Sequence, residues 1–547
     1  MAMDIVARAA RTASLLAAGI TAAFVPVLTP ATGITAAEAA AGNPLRPYTQ
    51  QKPHWQRCDA ENPAAFQCAT LEVPLDYGDP GGKRTRVEIS RLKAESPAKR
   101  RGVLLLNPGG PGGPGLHLPV DPAIRISKDV RKRYDLIGFD PRGIGRSSPV
   151  SCGLTRGEQE MEHPYTARTF AKDVRWARTV AAKCRASTGA KLRHITTRNT
   201  ARDMDVVRAV LGERQISYLG FSYGTYLGAV YTRMFPHRAD RFVLDSAADP
   251  GRYGRGMFQA MAEGAEPAFT RWSGWAARRH ATYGLGRTPA EVRGTFWDLV
   301  ARADREPLTV DGRPLTGDGI RARRATFFHV RKAAEWVAGL KKAAEGGTRT
   351  EDGKRSGHGK RTDDGQQPAH GKRTQDRQQP AHGKRTEGAA TPERSPGPAP
   401  RSSARAVPPD NDTAGAWAVL CGDTRASWPS DPERYRRDAI RDKRRYPLAG
   451  DFDSGIKPCA FWKPGSEPAT TVNTTARALI VQNAWDPSTP LPGAQAMHRA
   501  LRGSRMVTVA GGEGHIVNGT NACADDSVTR YLTTGRLPAR DLTCRTD

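Results

Sequence analysis

Short apolar runs alternate along the chain with segments whose apolar residues recur at helical spacing. Residues 87–92 (Val-Glu-Ile-Ser-Arg-Leu) alternate apolar and polar positions, as in a half-buried strand. Residues 102–106, 134–139, 216–219, 241–245, 478–482 and 506–509 are short and apolar enough for buried strands. Residues 200–211 carry apolar side chains at helical spacing, and 225–231 suit the first turns of a packed helix. Strands separated by helical segments predict an α/β fold with a mainly parallel sheet covered on both faces. Past residue 251 the pattern turns to helical stretches rich in Trp, Arg and Ala, among them 258–283 and 291–303. Pro289 precedes the second of these, where a proline suits a helix start. A helix is expected over 525–533. The order predicts a core over 42–250, a helical cap over 251–470 and the rest of the core over 471–547.

Two segments stand apart from this pattern. Arg8 and Arg11 precede the apolar run 15–28, and Ala37-Glu38-Ala39 follows as a small-residue cleavage site. Residues 1–41 therefore read as a secretory signal peptide, and the mature protein is expected to be soluble and exported. Pro26 and Pro30 interrupt the run, which is too short to span a bilayer comfortably. Within the cap, His358-Gly359-Lys360-Arg361-Thr362 recurs at His370 and His382. Residues 346–409 are nearly free of large apolar side chains and cannot offset their ordering entropy, so a disordered insertion is expected there. Its histidines read as part of a solvated linker and not as metal ligands.

Eight cysteines, at 58, 68, 152, 184, 421, 459, 523 and 544, support export. No Cys-x-x-Cys pair occurs, so zinc and thioredoxin-type readings lack their spacing. Spacing alone does not choose among the pairings, and joining neighbours in order is the simplest: Cys58–Cys68, Cys152–Cys184, Cys421–Cys459 and Cys523–Cys544. The net charge of +28 suits nucleic acid, an anionic surface or acidic substrates. No nucleic-acid-binding signature accompanies it. A solvated basic surface, with weak adhesion to an anionic cell envelope at most, is the better reading.

Gly220-Phe221-Ser222-Tyr223-Gly224 lies between the strand at 216–219 and the helical run at 225–231. That context makes the pentad a nucleophile elbow of the α/β-hydrolase type. A serine hydroxyl needs a base that takes its proton, and a carboxylate that orients the base. The order in such folds is serine, acid, histidine. His515, in Gly511-Gly512-Glu513-Gly514-His515 after the strand at 506–509, is the candidate base. His117, near the glycine-rich loop, is its rival but precedes Ser222. Asp486, in Trp485-Asp486-Pro487-Ser488-Thr489-Pro490, is the candidate acid, with Asp245 as runner-up. Asp140 is expected to organise its own turn. Backbone N–H groups of Tyr223 and Gly110, the latter in Gly109-Gly110-Pro111-Gly112, are the candidate oxyanion donors. Glu263 and Glu266 could meet a substrate ammonium, but surface salt pairing suits each better. The mechanism requires no cofactor and no metal.

Asn-Pro-Gly-Gly-Pro-Gly-Gly at 107–113, Asp-Pro-Arg-Gly-x-Gly-x-Ser at 140–147 and the pentad together resemble the secreted tripeptidyl-aminopeptidase branch of the α/β-hydrolases, allied to the prolyl aminopeptidases. Trp-Asp-Pro-x-Thr-Pro at 485–490, Gly-x-Gly-His at 512–515 and the flanking cysteines are similar to its C-terminal region. The resemblance covers most of 50–250 and 415–547. It implies a serine exopeptidase acting on peptides with a free N-terminus, with Ser222, Asp486, His515, Gly110 and Tyr223 in the roles above. The repeat insertion and Pro114, where a small hydroxyl residue is common, depart from the pattern. The same machinery also suits an esterase or lipase, and the charge alone would suit a non-catalytic envelope-binding protein.

Overall fold

The computed structural model describes residues 43–346, 406–423, 427–463 and 465–546. The expected signal peptide, and nearly all of the expected repeat insertion, lie outside these residues.

Ten strands form one sheet in the order β1-β2-β3-β5-β4-β6-β7-β10-β11-β12. They are β1 (Gln56–Arg57), β2 (Gln67–Pro74), β3 (Arg84–Leu92), β4 (Gly102–Asn107), β5 (Tyr134–Phe139), β6 (Ile216–Phe221), β7 (Ala239–Asp245), β10 (Ala478–Trp485), β11 (Arg505–Glu513) and β12 (Leu542–Arg545). Strands β4 and β6 are buried at every residue, as their unbroken apolar runs require in a sheet covered on both faces. From β5 to β12 every pairing is parallel, whereas β1, β2 and β3 form an antiparallel edge. All seven expected strands are present. The sequence reading missed β1, β2 and β12. The last of these is short and polar, and the Cys523–Cys544 bridge ties it to the helix Ala522–Thr534.

The fold is an α/β-hydrolase core with a helical insert between β7 and β10. Helices Arg255–Ala277, Pro289–Arg305 and Val330–Gly346 bury their own apolar cluster around Phe269, Trp272, Phe296 and Phe327. A hairpin of β8 (Leu308–Val310) and β9 (Arg313–Leu315) follows the second of these helices. The single helix expected over 258–283 stops at Ala277, and His280–Tyr283 forms a separate turn ending at Gly284 with φ +65°. Asn411–Asp423 behaves differently from the rest of the insert. It is buried along most of its length against the core, where Gly415 faces Ile144 and Gly112 faces Ala416.

Disulfides join Cys58–Cys68, Cys152–Cys184, Cys421–Cys459 and Cys523–Cys544, matching the neighbour-in-order pairing. Beside the sheet, Arg142 is fully buried. Its guanidinium donates bidentately to Asp203 at 2.7 and 2.6 Å and also to the carbonyls of Pro74, Leu75 and His194. These bonds satisfy the charge locally and pin the loop 140–147 beneath the glycine-rich loop.

Candidate active site

Parallel strands place the loops after β4, β6, β7, β10 and β11 at the same edge of the sheet, where α/β folds build their sites. Ser222 sits between β6 and the helix Tyr223–Met234, at φ 55° and ψ −123°. A non-glycine residue held there is strained by about 1–3 kcal/mol, and the surrounding packing enforces it. A Cβ at Gly220 would lie 2.4 Å from the Tyr218 ring and 2.7 Å from the Gly224 carbonyl oxygen. A Cβ at Gly224 would lie 2.6 Å from Asn107 Oδ1. The pentad therefore needs glycine on both flanks.

The glycine-rich loop closes on this elbow. Gly109, at φ +94°, lies so near that a Cβ would stand 2.4 Å from the Phe221 oxygen, 3.0 Å from Ser222 Cβ and 3.2 Å from the Tyr223 nitrogen. Gly109 N–H is taken by Asn107 Oδ1 at 3.1 Å. The N–H groups of Gly110 and Tyr223 form no hydrogen bond among the described residues. Both donors are thus uncommitted, and the loop that carries Gly110 meets the Ser222 elbow at Gly109.

His515 Nδ1 lies 2.8 Å from Asp486 Oδ2, which leaves Nε2 as the free ring nitrogen. Asp486 is fully buried at its side chain. Its Oδ1 accepts from the N–H groups of Ser488 (2.8 Å) and Thr489 (3.0 Å), and its Oδ2 also accepts the Thr489 hydroxyl at 2.8 Å. The Asp486 carboxylate thus closes an Asx turn over Ser488 and Thr489 and reaches His515 as well. Burial draws the His515 pKa down, but the hydrogen bond and charge of Asp486, with the charge of Asp245, outweigh it and leave the imidazole above its ordinary value.

Asp245, the runner-up acid, is spent differently. Its oxygens accept the N–H groups of Val517 at 2.8 Å and Asn518 at 2.9 Å. Burial pushes its carboxyl up to about 6. Ser246 Oγ accepts Ile516 N–H at 3.0 Å, and Asn483 Nδ2 donates to the carbonyls of Glu513, Gly514 and Ile516. Asp245, Ser246 and Asn483 therefore hold the backbone on both sides of His515. The sequence offered one signal for Asn483, a polar residue late in an apolar strand. It offered none for Ser246.

Other expected residues are placed elsewhere. His117 is half-exposed and pairs with Asp59 at 3.0 Å. Asp140 accepts from the N–H groups of Gly115, Leu116 and Arg146, organising its turn as expected. Glu263 is paired bidentately with Arg252 at 2.7 and 2.9 Å, and Glu266 accepts Leu448 N–H at 2.7 Å. The insert reaches the histidine loop at Glu513, which accepts Val330 N–H and lies 3.2 Å from Arg271.

The sheet order, the strand–serine–helix elbow and the acid–histidine pair after β10 and β11 define an α/β-hydrolase. Residues 102–281 match the family described as the alpha/beta hydrolase fold, and residues 446–544 match that described as TAP-like protein. A tripeptidyl aminopeptidase of Streptomyces lividans is 34% identical over 508 residues, covering 90% of this chain and 86% of that protein. The serine protease Hip1 of Mycobacterium tuberculosis (strain H37Rv) is 26% identical, covering 91% of this chain and 92% of that protein. A carboxylesterase B of the same strain is 28% identical, covering 97% of each. The chain belongs to the tripeptidyl aminopeptidase family of α/β-hydrolase serine hydrolases.

Proposed function

We propose that this protein is an exported serine aminopeptidase that releases short peptides, tripeptides in the first instance, from free N-termini. The observation that carries the reading is the 2.8 Å contact of His515 Nδ1 with buried Asp486, on loops at the same sheet edge as the Ser222 elbow. In this reading Ser222 Oγ attacks the scissile carbonyl while His515 Nε2 takes its proton. Asp486 holds the imidazole with its proton on Nδ1 and stabilises the imidazolium that forms. The developing oxyanion accepts from Gly110 and Tyr223 N–H, and His515 then protonates the leaving amine. Water hydrolyses the acyl-enzyme by the reverse proton path.

Four disulfides support export, since such bridges persist in oxidising compartments. Among the described residues no helix is long and apolar enough to cross a membrane. Hydrolysis of a free-amine tripeptide p-nitroanilide, beside its N-blocked copy and Ser222→Ala, tests the activity. Release that requires both the free amine and Ser222 supports the reading; equal cleavage of the blocked peptide defeats the exopeptidase assignment. The likeness to a carboxylesterase favours one alternative, an ester hydrolase, which the same assay selects if acyl esters turn over and peptides do not.

A further inference from the structure

Behind the elbow lies a buried carboxylate that the reaction above does not use. Asp423 is the last residue of the helix Asn411–Asp423 and is buried, as are Thr197 and Tyr223. One Asp423 oxygen accepts Thr197 N–H at 2.7 Å, and the other accepts the Thr197 hydroxyl. Thr197 Oγ1 in turn lies 2.6 Å from the Tyr223 phenol oxygen. Tyr223 is the residue whose backbone N–H faces the oxyanion position.

Three tyrosine rings surround the group: Tyr253 stacks on Tyr226 at 4.0 Å and lies 5.9 Å from Tyr223. No cation pairs with Asp423 among the described residues. Arg198, the charged group that acts on it, is engaged by Glu467 and Thr470. A buried carboxylate is costly unless it is hydrogen-bonded, and among the described residues this one is held by the Thr197 N–H and hydroxyl, with a further contribution from the Tyr253 phenol. The same helix also supports the other donor. Its backbone at Asp412 and Ala416 lies where a Cβ on Gly112 would come within 2.9 Å. Asn411 at its start bonds Gly143, Gly145 and Val150. One helix thus contacts the glycine-rich loop at Gly112 and, through Thr197, reaches Tyr223.

We propose that Asp423 is a positioning residue for the oxyanion site: acting through Thr197, it anchors the Tyr223 phenol and thereby aims the Tyr223 backbone N–H. The inference rests on Ser222 being the nucleophile. With Asp423 ionised, the Tyr223 hydroxyl donates to Thr197 Oγ1 and the Thr197 hydroxyl donates to Asp423, so each proton has an acceptor. When Asp423 is protonated it becomes a donor, the chain reverses, and the Tyr223 proton loses its acceptor. Burial pushes the Asp423 carboxyl up to about 7, against the pull of its Thr197 bonds, the Tyr253 phenol and Arg198, so this reversal falls near neutral pH. The other titratable groups facing it are the phenols of Tyr223, Tyr226 and Tyr253, whose own pKa values burial raises far above neutrality.

The test uses the full disulfide-bonded chain as wild type, Asp423→Asn and Tyr223→Phe, the last removing only the phenol oxygen. Two rates are followed from about pH 5 to about pH 9: tripeptide p-nitroanilide turnover, and covalent capture of Ser222 by an alkyl fluorophosphonate. Both variants are expected to lower kcat and the capture rate about tenfold with KM unchanged, a fraction of what losing a whole donor costs. In wild type the acid limb of log(kcat/KM) set by His515 carries an added step of about tenfold from Asp423, so its slope exceeds one between the two ionisations; each variant reduces it to about one. Unchanged kcat and slope in Tyr223→Phe, or a loss confined to thermal stability in both variants, overturns the proposal. Failure of the fluorophosphonate to label wild type overturns the nucleophile reading and this inference together. Labelling without peptide cleavage rejects only the peptidase reading, and the capture rates still decide the role of Asp423.

Discussion

Asp486→Asn changes one atom of the site and isolates the question of which nitrogen of His515 carries the proton. The carboxylate now accepts five hydrogen bonds: Oδ1 takes the N–H groups of Ser488 and Thr489, and Oδ2 takes His515 Nδ1, the Thr489 hydroxyl and, at 3.5 Å, the Gln482 amide. An asparagine must keep its carbonyl oxygen toward the paired backbone donors, because neither N–H can become an acceptor. Its amide NH₂ then faces His515, Nδ1 must accept, and the ring proton moves to Nε2. That nitrogen can no longer take the Ser222 proton. A tautomer locked the wrong way in a triad of this type costs about 10⁴ in kcat, or about 5 kcal/mol of barrier. The substitution preserves shape and both turn bonds, so the folded far-UV circular dichroism signal should persist. The residual rate carries a second signature. Without the Asp486 charge, burial dominates at His515 and its pKa falls below the wild-type value, so the acid limb of the residual activity moves to lower pH. The assay is tripeptide p-nitroanilide turnover across pH on enzyme of matched fold. A loss of less than about 100-fold, with an unshifted acid limb, would refute the assignment and make Asp245 the acid to test next.

Gly109→Ala places a methyl 2.4 Å from the Phe221 oxygen at a φ of +94°, so the glycine loop must withdraw; kcat and fluorophosphonate capture should fall at least about 100-fold. Capture at the wild-type rate would show that the loop does not serve the oxyanion. Arg142→Met leaves Asp203 buried without its cation and should cost about 3–5 kcal/mol, read as a lowered urea midpoint. An unchanged midpoint would mean that the charge is satisfied by other groups. For Asp245 the folded pKa, raised to about 6 by burial, lies above the ordinary aspartate value near 4. Its contribution to stability is complete below about pH 4 and is lost as pH rises through about 6, a loss of about 3 kcal/mol. Asp245→Asn should flatten the fall in thermal midpoint over that window, and an identical pH dependence would refute the assignment.

What was legible in the sequence was what short-range periodicity encodes. Strands β4, β6 and β10 announce themselves because a strand buried on both faces must be apolar throughout. Strand β2, near one end of the sheet, and the edge strand β12 escaped because their polar residues face solvent or are held by a neighbour and a disulfide. The break after Ala277 was equally hidden, since apolar spacing continues through Tyr283 while the backbone turns at Gly284.

The sequence by itself determined the strand–serine–helix setting of Ser222, because the pentad and its flanks are contiguous and their steric demands are local. It also determined the order in which Asp486 and His515 follow. Only the tertiary structure shows which of Asp486 and Asp245 meets the His515 imidazole. Asp245 ends β7 and Asp486 follows β10, both are buried, and they differ in whether the carboxylate meets the imidazole or the backbone at Val517 and Asn518. The same holds for Asn483 beneath the histidine loop, for Glu263 committed to Arg252, and for Asp423 behind Tyr223. Each role is set by a contact of a few ångströms between residues that are mostly distant in sequence, and by burial that makes such a contact strong. Those distances exist only once the sheet has formed and the insert has packed on it.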